Sequence, residues 1–272
     1  MRSKYWLLAF LYFLSVRTHA QQELFNKKDL TGWDTYIGPE LNDSGVAITI
    51  IPVGLNKDPL NVFTVTDLDG EKVIRISGES WGGISTQKEF ANYHLRLKYK
   101  WGKAKWGQKK DKPRDSGLLY HAVGPHGADY GAWMRSQEFQ IEEGNTGDYW
   151  GVAGGVQDIP AFQVSGNYVY DPSVEIVTFS ATSPAGRHCV KRGMNEINEG
   201  WNSIDLYCYK DTSVHVVNGN VVMVLYNSRQ QDAGTFAPLT KGKIQIQSEG
   251  AEVFYKDIFI EDIKTIPQQF MK

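Results

Sequence analysis

Residues 214–227, VHVVNGNVVMVLYN, decide the fold class of this chain. Two runs rich in valine flank the dipeptide Asn218-Gly219. Asn-Gly between β-branched runs is the strongest short-range signal for a hairpin, because both central positions of the tight turn need positive φ. The segment therefore predicts two antiparallel strands joined by a two-residue turn.

Strict alternation extends this reading outward along the chain. In residues 92–101 (NYHLRLKYKW), Tyr93, Leu95, Leu97, Tyr99 and Trp101 fall on one face, and His94, Arg96, Lys98 and Lys100 on the other. A period of two with one apolar face is typical of a strand that packs against the core on one face and is exposed to solvent on the other. Similar strands are predicted at residues 46–51, 72–77, 117–123, 135–141, 174–179, 201–210, 242–248 and 253–263.

No window of twelve or more residues has a convincing helical period, and the chain has no repeat, linker or break in composition. Short strands separated by turn residues favour an antiparallel sandwich or a jelly roll. Residues 145–171 are expected to form the longest irregular segment, and residues 103–114 a solvated basic loop. We therefore predict an all-β fold with two antiparallel sheets.

Composition excludes several classes of protein. The 272 residues carry 29 Lys+Arg and 31 Asp+Glu, a net charge of -2, which argues against a nucleic-acid partner. Eight tryptophans and 12% aromatic residues indicate either a large β core or a surface that stacks on flat ligands.

The first twenty residues have the pattern of an export signal. Arg2 and Lys4 precede the apolar run 7–16 (LLAFLYFLSV), and small residues stand at both positions that determine cleavage, Thr18 and Ala20. We expect residues 1–20 to be a signal peptide and residues 21–272 to form a single β-sandwich domain. The mature protein is then exported, periplasmic or extracellular, without insertion into a membrane. In that oxidising compartment Cys189 and Cys208 could form a disulfide, or they could remain buried thiols.

The candidate site centres on residues 138–142, EFQIE. Residues i, i+2 and i+4 of a strand share a face, so Glu138, Gln140 and Glu142 point together while Phe139 and Ile141 enter the core. Such a row can bind sugar hydroxyls or a metal, or transfer protons, although a solvent-facing strand alternates in the same way. Glu138 and Glu142 lie about 13 Å apart along an extended backbone, whereas a retaining glycosidase needs its carboxyls roughly 5 Å apart.

Other candidates flank this strand. His121, in the strand after Asp115-Ser116-Gly117, could be an acid, a base or a ligand, or simply structural. Asp148, Tyr149 and Trp150 could stack on a pyranose ring and bind its hydroxyls, or Trp150 could anchor a loop. Gln247 ends a late strand with a further polar side chain. No zinc, P-loop or nucleophile-elbow motif is present, so a divalent cation is left open without a ligand spacing to support it.

The order of several motifs resembles the 3-keto-disaccharide hydrolase domain family over essentially the whole mature chain. The matching segments are residues 24–33 (LFNKKDLTGW), 115–117 (DSG), 138–141 (EFQI), 200–202 (GWN), 217–219 (VNG), 242–247 (GKIQIQ) and 255–258 (YKDI). The resemblance implies a concanavalin A-like jelly roll and an enzyme that cleaves glycosides oxidised at C3. One departure is that Gln247-Ser248-Glu249 stands where many members have Q-D-H.

The implied chemistry needs one general base for the C2 proton and a group that stabilises the enolate oxygen, which a divalent cation could do. We expect Glu138 or His121 to be the base, with the other in support. Gln140, Glu142, Asp148 and Gln247 would bind the carbohydrate substrate, and Tyr149 or Trp150 would stack on it. Two alternatives remain: a non-catalytic carbohydrate-binding module, and an endo-glucanase that uses Glu138 and Glu142.

Overall fold

The computed structural model describes residues 21–271, so the predicted signal peptide lies outside the described residues. Strands make up nearly all of the regular structure, with two short 3-10 turns at Gly107–Lys109 and Gln268–Phe270. The strands are β1 Gln22–Glu23, β2 Trp33–Leu41, β3 Ala47–Leu55, β4 Phe63–Leu68, β5 Glu71–Ile76, β6 Gly82–Thr86, β7 Tyr93–Lys105, β8 Asp115–Val123, β9 Arg135–Glu142, β10 Tyr149–Val152, β11 Gly155–Val164, β12 Asn167–Tyr170, β13 Ile176–Phe179, β14 His188–Cys189, β15 Asn202–Tyr209, β16 Thr212–Val217, β17 Asn220–Asp232, β18 Thr235–Pro238, β19 Lys243–Ser248 and β20 Ala251–Asp262.

Two antiparallel sheets form a jelly-roll β-sandwich, which confirms the predicted fold class. One sheet has the order β12-β11-β17-β16-β15-β7-β20-β5-β4, with β1, β13 and β18 paired beside it. The other has the order β14-β10-β9-β8-β19-β6-β2-β3. Strands distant in sequence are neighbours in both sheets, as expected when chain connections cross between the layers.

The hairpin that decides the fold class forms as predicted. Strands β16 and β17 pair antiparallel with Val217 opposite Asn220. Asn218 and Gly219 have φ of 49° and 80°, the left-handed values that a type I′ turn requires.

The main core lies between the two sheets. Tyr93, Leu95, Leu97 and Tyr99 of β7 are fully buried in it, as their alternation predicts. From the eight-stranded sheet, Leu118, Phe139, Ile141, Ile244 and Ile246 pack into the same core. Alternate residues of β8, β9 and β19 therefore point away from the core, on the outer face of the eight-stranded sheet.

The structure corrects one expectation about the chain and decides between two alternatives for the cysteines. Residues 145–171 are not irregular, because they contain β10, β11 and β12. Glycines and Pro160 interrupt the apolar pattern of these strands, which hides their period of two. Cys189 and Cys208 are buried free thiols in different strands, without a disulfide between them. Within residues 21–271, no helix has the length and apolar character needed to cross a membrane.

Candidate active site

A cavity of about 590 Å³ opens on the outer face of the eight-stranded sheet. Strands β8, β9, β10 and β19 form its floor, and loops from distant parts of the chain form its walls. The polar and aromatic residues that line it are Trp81, Gln108, Lys109, Lys112, Asp115, Asp129, Tyr130, Trp133, Glu138, Gln140, Glu142, Trp150, Arg187, Gln247 and Glu249. This volume is in the range of small-molecule sites.

Strand register arranges the floor in rows. Asp115 lies opposite Glu142, and Gly117 lies opposite Gln140. Glu138 pairs with Leu119 on one side and with Trp150 on the other. Glu138, Gln140 and Glu142 therefore share the cavity face, as their spacing predicts.

Glu138 lies in the middle of the floor and is 5% exposed. Its carboxyl leans over Gly117: a Cβ at Gly117 would lie 2.3 Å from Glu138 Oε1 and 2.2 Å from Gln247 Oε1. Burial raises the pKa of Glu138 well above its usual value, and the neighbouring Asp115 adds to the rise while Arg187 opposes it. Gln247 Oε1 has no hydrogen-bond partner within residues 21–271. The centre of the cavity is thus a buried carboxyl beside an amide oxygen without a hydrogen-bond partner among the described residues.

On one side of Glu138 lies a cluster that we call the acidic end: Lys109, Asp115, Glu142 and Glu249. Lys109 Nζ contacts Asp115 Oδ2 and lies 3.3 Å from Glu142 Oε1. Burial raises the pKa of Asp115, although the ammonium of Lys109 opposes this effect. Burial alone would lower the pKa of Lys109, but Asp115 and the neighbouring glutamates raise it overall. Lys109 therefore stays an ammonium among carboxyls.

Glu249 carries a further carboxyl into the acidic end. Burial raises its pKa well above the usual value, and the neighbouring Asp115 and Glu138 add to the rise. Three carboxyls therefore lie around one ammonium in the acidic end.

On the other side of Glu138 lies the aromatic end, formed by Trp81, Tyr130, Trp133, Trp150 and Arg187. Trp81 and Trp133 stack with their ring centroids 5.4 Å apart, and Tyr130 meets both edge-on. The guanidinium of Arg187 lies 5.5 Å from the Trp150 ring and 5.9 Å from the Tyr130 ring. Flat faces beside a cation suit a sugar ring or another flat group.

The structure does not bring His121 to this cavity, which corrects its proposed catalytic role. Alternation after Gly117 and Leu119 would place His121 on the cavity face, but the register of β8 shifts between Tyr120 and Val123. At this bulge His121 has a φ of 53° and its ring packs edge-on against Tyr93 and Tyr120. It is 1% exposed, and burial lowers its pKa to about 4. A bulge of this kind leaves no signal in the alternation of β8.

Two predicted ligand-binding residues also lie elsewhere. Asp148 accepts hydrogen bonds from Lys191 N at 2.8 Å and pairs with His188 Nε2 at 2.9 Å. Tyr149 donates its hydroxyl to Gln137 Oε1 at 2.7 Å, and its ring packs in a separate cluster of buried apolar side chains that includes Ile159 and Phe179. Both side chains are buried and do not line the cavity, so they hold the loop and strand that carry Trp150. Gln140, Glu142, Trp150 and Gln247 do line it.

Sequence reasoning missed several cavity residues. Lys109 belongs to the segment predicted to be a solvated loop, and Trp81, Tyr130 and Arg187 come from unconnected loops. Glu249 was noted only as a departure from the family pattern. The basic segment beside DSG was the one available signal, since a lysine close in sequence to Asp115 can pair with it.

A metal site has little support in this arrangement. No group of three or more His, Cys, Asp and Glu side chains in residues 21–271 is placed to hold a metal ion. The divalent cation therefore stays a prediction.

The fold and the cavity together define the class: a jelly-roll β-sandwich with a polar and aromatic binding site on one sheet. The chain belongs to the 3-keto-alpha-glucoside-1,2-lyase-like domain family, whose model matches residues 20–261. The family confirms the resemblance seen in the sequence and identifies the chain as a carbohydrate-active protein.

Solved structures with a similar architecture share little sequence with this chain. A proposed glycosyl hydrolase from Parabacteroides distasonis ATCC 8503 is 19% identical, with a TM-score of 0.49 over 90% of this chain and 94% of that one. A second from the same organism is 16% identical, with a TM-score of 0.44 over 76% and 93%. A carbohydrate-binding module from Bacillus subtilis is 10% identical, with a TM-score of 0.38 over 74% and 92%. No curated protein matches the sequence significantly.

Proposed function

We propose that this protein is an exported enzyme that cleaves 3-keto-glycosides, with Glu138 as the general base that removes the C2 proton. The proposal combines the family of the chain with a buried carboxyl at the centre of a sugar-sized cavity. Export follows from the pattern of residues 1–20 and has its own test, which is N-terminal sequencing of the secreted protein.

Cleavage of a 3-keto-glycoside by elimination needs one general base and no pair of catalytic carboxylates. A ketone at C3 acidifies the C2 proton, and the aglycone on C1 is β to that ketone. The Glu138 carboxylate takes the C2 proton, and the C–H electron pair moves to the C3 oxygen as an enolate forms. The enolate then re-forms the ketone, a double bond forms between C1 and C2, and the aglycone leaves with the C1–O electron pair. The aglycone oxygen takes the proton that Glu138 gained, and addition of water across the C1–C2 double bond completes a net hydrolysis.

The observation that carries the proposal is the environment of Glu138. Its carboxyl is buried beside Gln247 Oε1 and faces the cavity rather than the core. A raised pKa makes the ionised carboxylate a stronger base than a solvated glutamate, which helps to remove a proton from carbon. Gln140 and Gln247 flank this carboxyl and are suited to bind the sugar hydroxyls.

The endo-glucanase alternative requires the carboxyl groups of Glu138 and Glu142 to lie roughly 5 Å apart. A bulge between them would be needed, but β9 keeps a continuous register with β8 from Glu138 to Glu142. Glu142 is also engaged by Lys109 and by Asn145, whose Nδ2 lies 2.6 Å from Glu142 Oε2. These contacts favour the single-base reaction.

The test is a paired assay of the mature protein with a 3-keto-glucoside and with the same glucoside unoxidised, each with and without a chelator. We expect aglycone release from the 3-keto substrate alone. Release from the unoxidised glucoside or from plain β-glucan would contradict the proposal. Binding of sugar without turnover of either substrate would instead support a non-catalytic module.

A further inference from the structure

Lys109 is held at the acidic end by its backbone as well as by its charge. Its amide donates to Trp106 O at 2.9 Å, and the neighbouring Gln108 side chain donates to Gly45 O at 3.2 Å. A Cβ at Gly250 would lie 2.9 Å from Lys109 Cγ, so the side-chain stem packs directly against that glycine. The ammonium is therefore fixed over the floor of the cavity, not swinging in solvent.

The ammonium of Lys109 has one donor left for a ligand. It carries three N–H groups, and its contacts within residues 21–271 are Asp115 Oδ2 and Glu142 Oε1. Its side chain is 15% exposed and lines the cavity. The remaining N–H is thus available where the floor is already desolvated, and charge interactions are stronger there than in water.

The rows of the sheet set the distance between this ammonium and the base. Lys109 lies over the row of Asp115 and Glu142, and the Glu138 carboxyl leans over Gly117, which is two residues further along β8. Two residues of strand advance about 6.6 Å. A base in contact with the C2 proton and a donor in contact with the C3 oxygen lie a similar distance apart, because each of the two contacts has the length of a hydrogen bond.

Arg187, the other partly buried cation of the cavity, lies on the opposite side of Glu138. Its Nη1 donates to Asp129 Oδ2 at 2.9 Å, and its guanidinium lies against the rings of Tyr130 and Trp150. C1 and C3 flank C2 in the sugar ring, so a base at C2 leaves C3 facing one end of the cavity and the aglycone on C1 facing the other.

We propose that Lys109 is a catalytic residue that donates a hydrogen bond to the C3 oxygen and stabilises the enolate as it forms, with the aglycone directed toward the aromatic end. This rests on the proposed function. The proton moves from C2 to Glu138, the electron pair moves to the C3 oxygen, and Lys109 keeps all three of its protons. No covalent bond forms between Lys109 and the substrate.

The test separates enolate formation from aglycone release. A 3-keto sugar that lacks an aglycone, 1,5-anhydro-3-keto-glucitol, can exchange its C2 proton but has no aglycone to release. Exchange in D₂O is followed by proton NMR for the wild-type protein and for Lys109→Met, with Lys110→Met as a matched control. Lys110 is exposed on the same loop and does not line the cavity. Turnover of a 3-keto-glucoside is measured in parallel.

For Lys109→Met we expect C2 exchange and kcat to fall together by about 10²–10³-fold, with a small change in KM. Lys110→Met should behave as the wild type. Exchange within threefold of the wild type in Lys109→Met would overturn the assignment. A covalent adduct on Lys109 after borohydride reduction in the presence of substrate would also overturn it, because it would show an iminium instead of a hydrogen bond.

A second pair of variants keeps the test valid if Lys109→Met does not fold. Asp115→Asn retains the ammonium, which keeps its contact with Glu142 Oε1. Asp115→Asn with Lys109→Met removes both charges, so the double variant does not leave the Asp115 carboxylate without its cation. The double variant should lose exchange relative to Asp115→Asn, and equal rates would overturn the proposal. If the wild-type protein itself neither exchanges the C2 proton nor releases aglycone, the proposed function fails, and this inference fails with it.

Discussion

Each sheet of the sandwich carries a polar cluster on its outer face, and the two clusters differ in how completely they are paired. On the twelve-stranded sheet, His94 lies 2.7 Å from Asp205 Oδ1 and 2.9 Å from Glu261 Oε1. Arg96 donates to the same Asp205 oxygen at 2.8 Å, and the His94 ring stacks on Tyr207. In the cavity, Gln247 Oε1 and Asp115 Oδ1 are buried without hydrogen-bond partners within residues 21–271.

The pKa shifts of the two clusters have opposite signs. Burial would raise the pKa of Asp205, but its bonds to His94 and Arg96 lower it overall. Burial raises the pKa of Glu138 and of Glu249 well above their usual values, and the cavity's cations do not compensate. A paired cluster stabilises the fold, whereas an unpaired one costs stability and retains groups for a ligand. Charge density by itself does not distinguish the two.

Glu138→Gln should give the largest effect. The amide keeps the shape of the side chain but cannot accept a proton from C2, so we expect kcat for a 3-keto-glucoside to fall by about 10²–10⁴-fold. The same variant should raise the melting temperature at pH 8. The raised pKa of Glu138 means that ionisation of its buried carboxyl costs stability at this pH, and an amide does not ionise. Lower activity with a lower melting temperature would instead indicate a structural role.

Gly117→Ala should give the next largest loss of activity, because it displaces side chains of the site without changing their charge. The new Cβ would displace the ends of the Glu138 and Gln247 side chains, which are flexible, so the fold should change little. Displacement of a reacting group by about 1 Å costs on the order of 10²-fold in rate. We expect such a loss in kcat/KM with a nearly unchanged melting temperature. Wild-type kinetics would show that Glu138 does not act from the position described.

The fold was accessible from sequence because its signals are local. Alternation in β7 and the Asn218-Gly219 turn are each set by neighbours within a few residues. The shared face of Glu138, Gln140 and Glu142 follows from the same period of two. These features need no knowledge of the opposite sheet.

The rest of the site depends on contacts that only the folded chain makes. The bulge in β8 turns His121 into the core, and the loop at Lys109 folds back over Asp115. Trp81, Tyr130 and Arg187 meet from three separate segments. No periodicity encodes these approaches, so alternation does not reveal the bulge at His121, and the charge of residues 103–114 predicts a solvated loop where Lys109 lines the cavity.

A smaller effect is expected in the pH dependence of stability, which should differ between the cavity and the paired cluster on the twelve-stranded sheet. The folded-state pKa of Glu249 is raised above its unfolded value, so the folded state holds more protons, and stability falls as pH rises from about 4.5 toward the raised pKa. Glu249→Gln removes this loss. We expect the melting temperature of the variant to exceed that of the wild type at pH 8 and to approach it below pH 4.5. A variant that is less stable at pH 8 would show that Glu249 is paired.

Asp205→Asn should give the smallest effect, of the opposite sign and on stability alone. The folded-state pKa of Asp205 is lowered, so its contribution is present above the ordinary carboxyl pKa and is lost as pH falls through the lowered value. We expect the variant to lose about 1–2 kcal/mol of unfolding free energy at pH 7, and the difference should shrink toward pH 3, as measured by urea unfolding. Its kcat/KM should equal that of the wild type, because the cluster lies on the sheet that does not form the cavity. If activity also fell, the outer face of the twelve-stranded sheet would be coupled to the site, and completeness of pairing would no longer separate structural from functional charge.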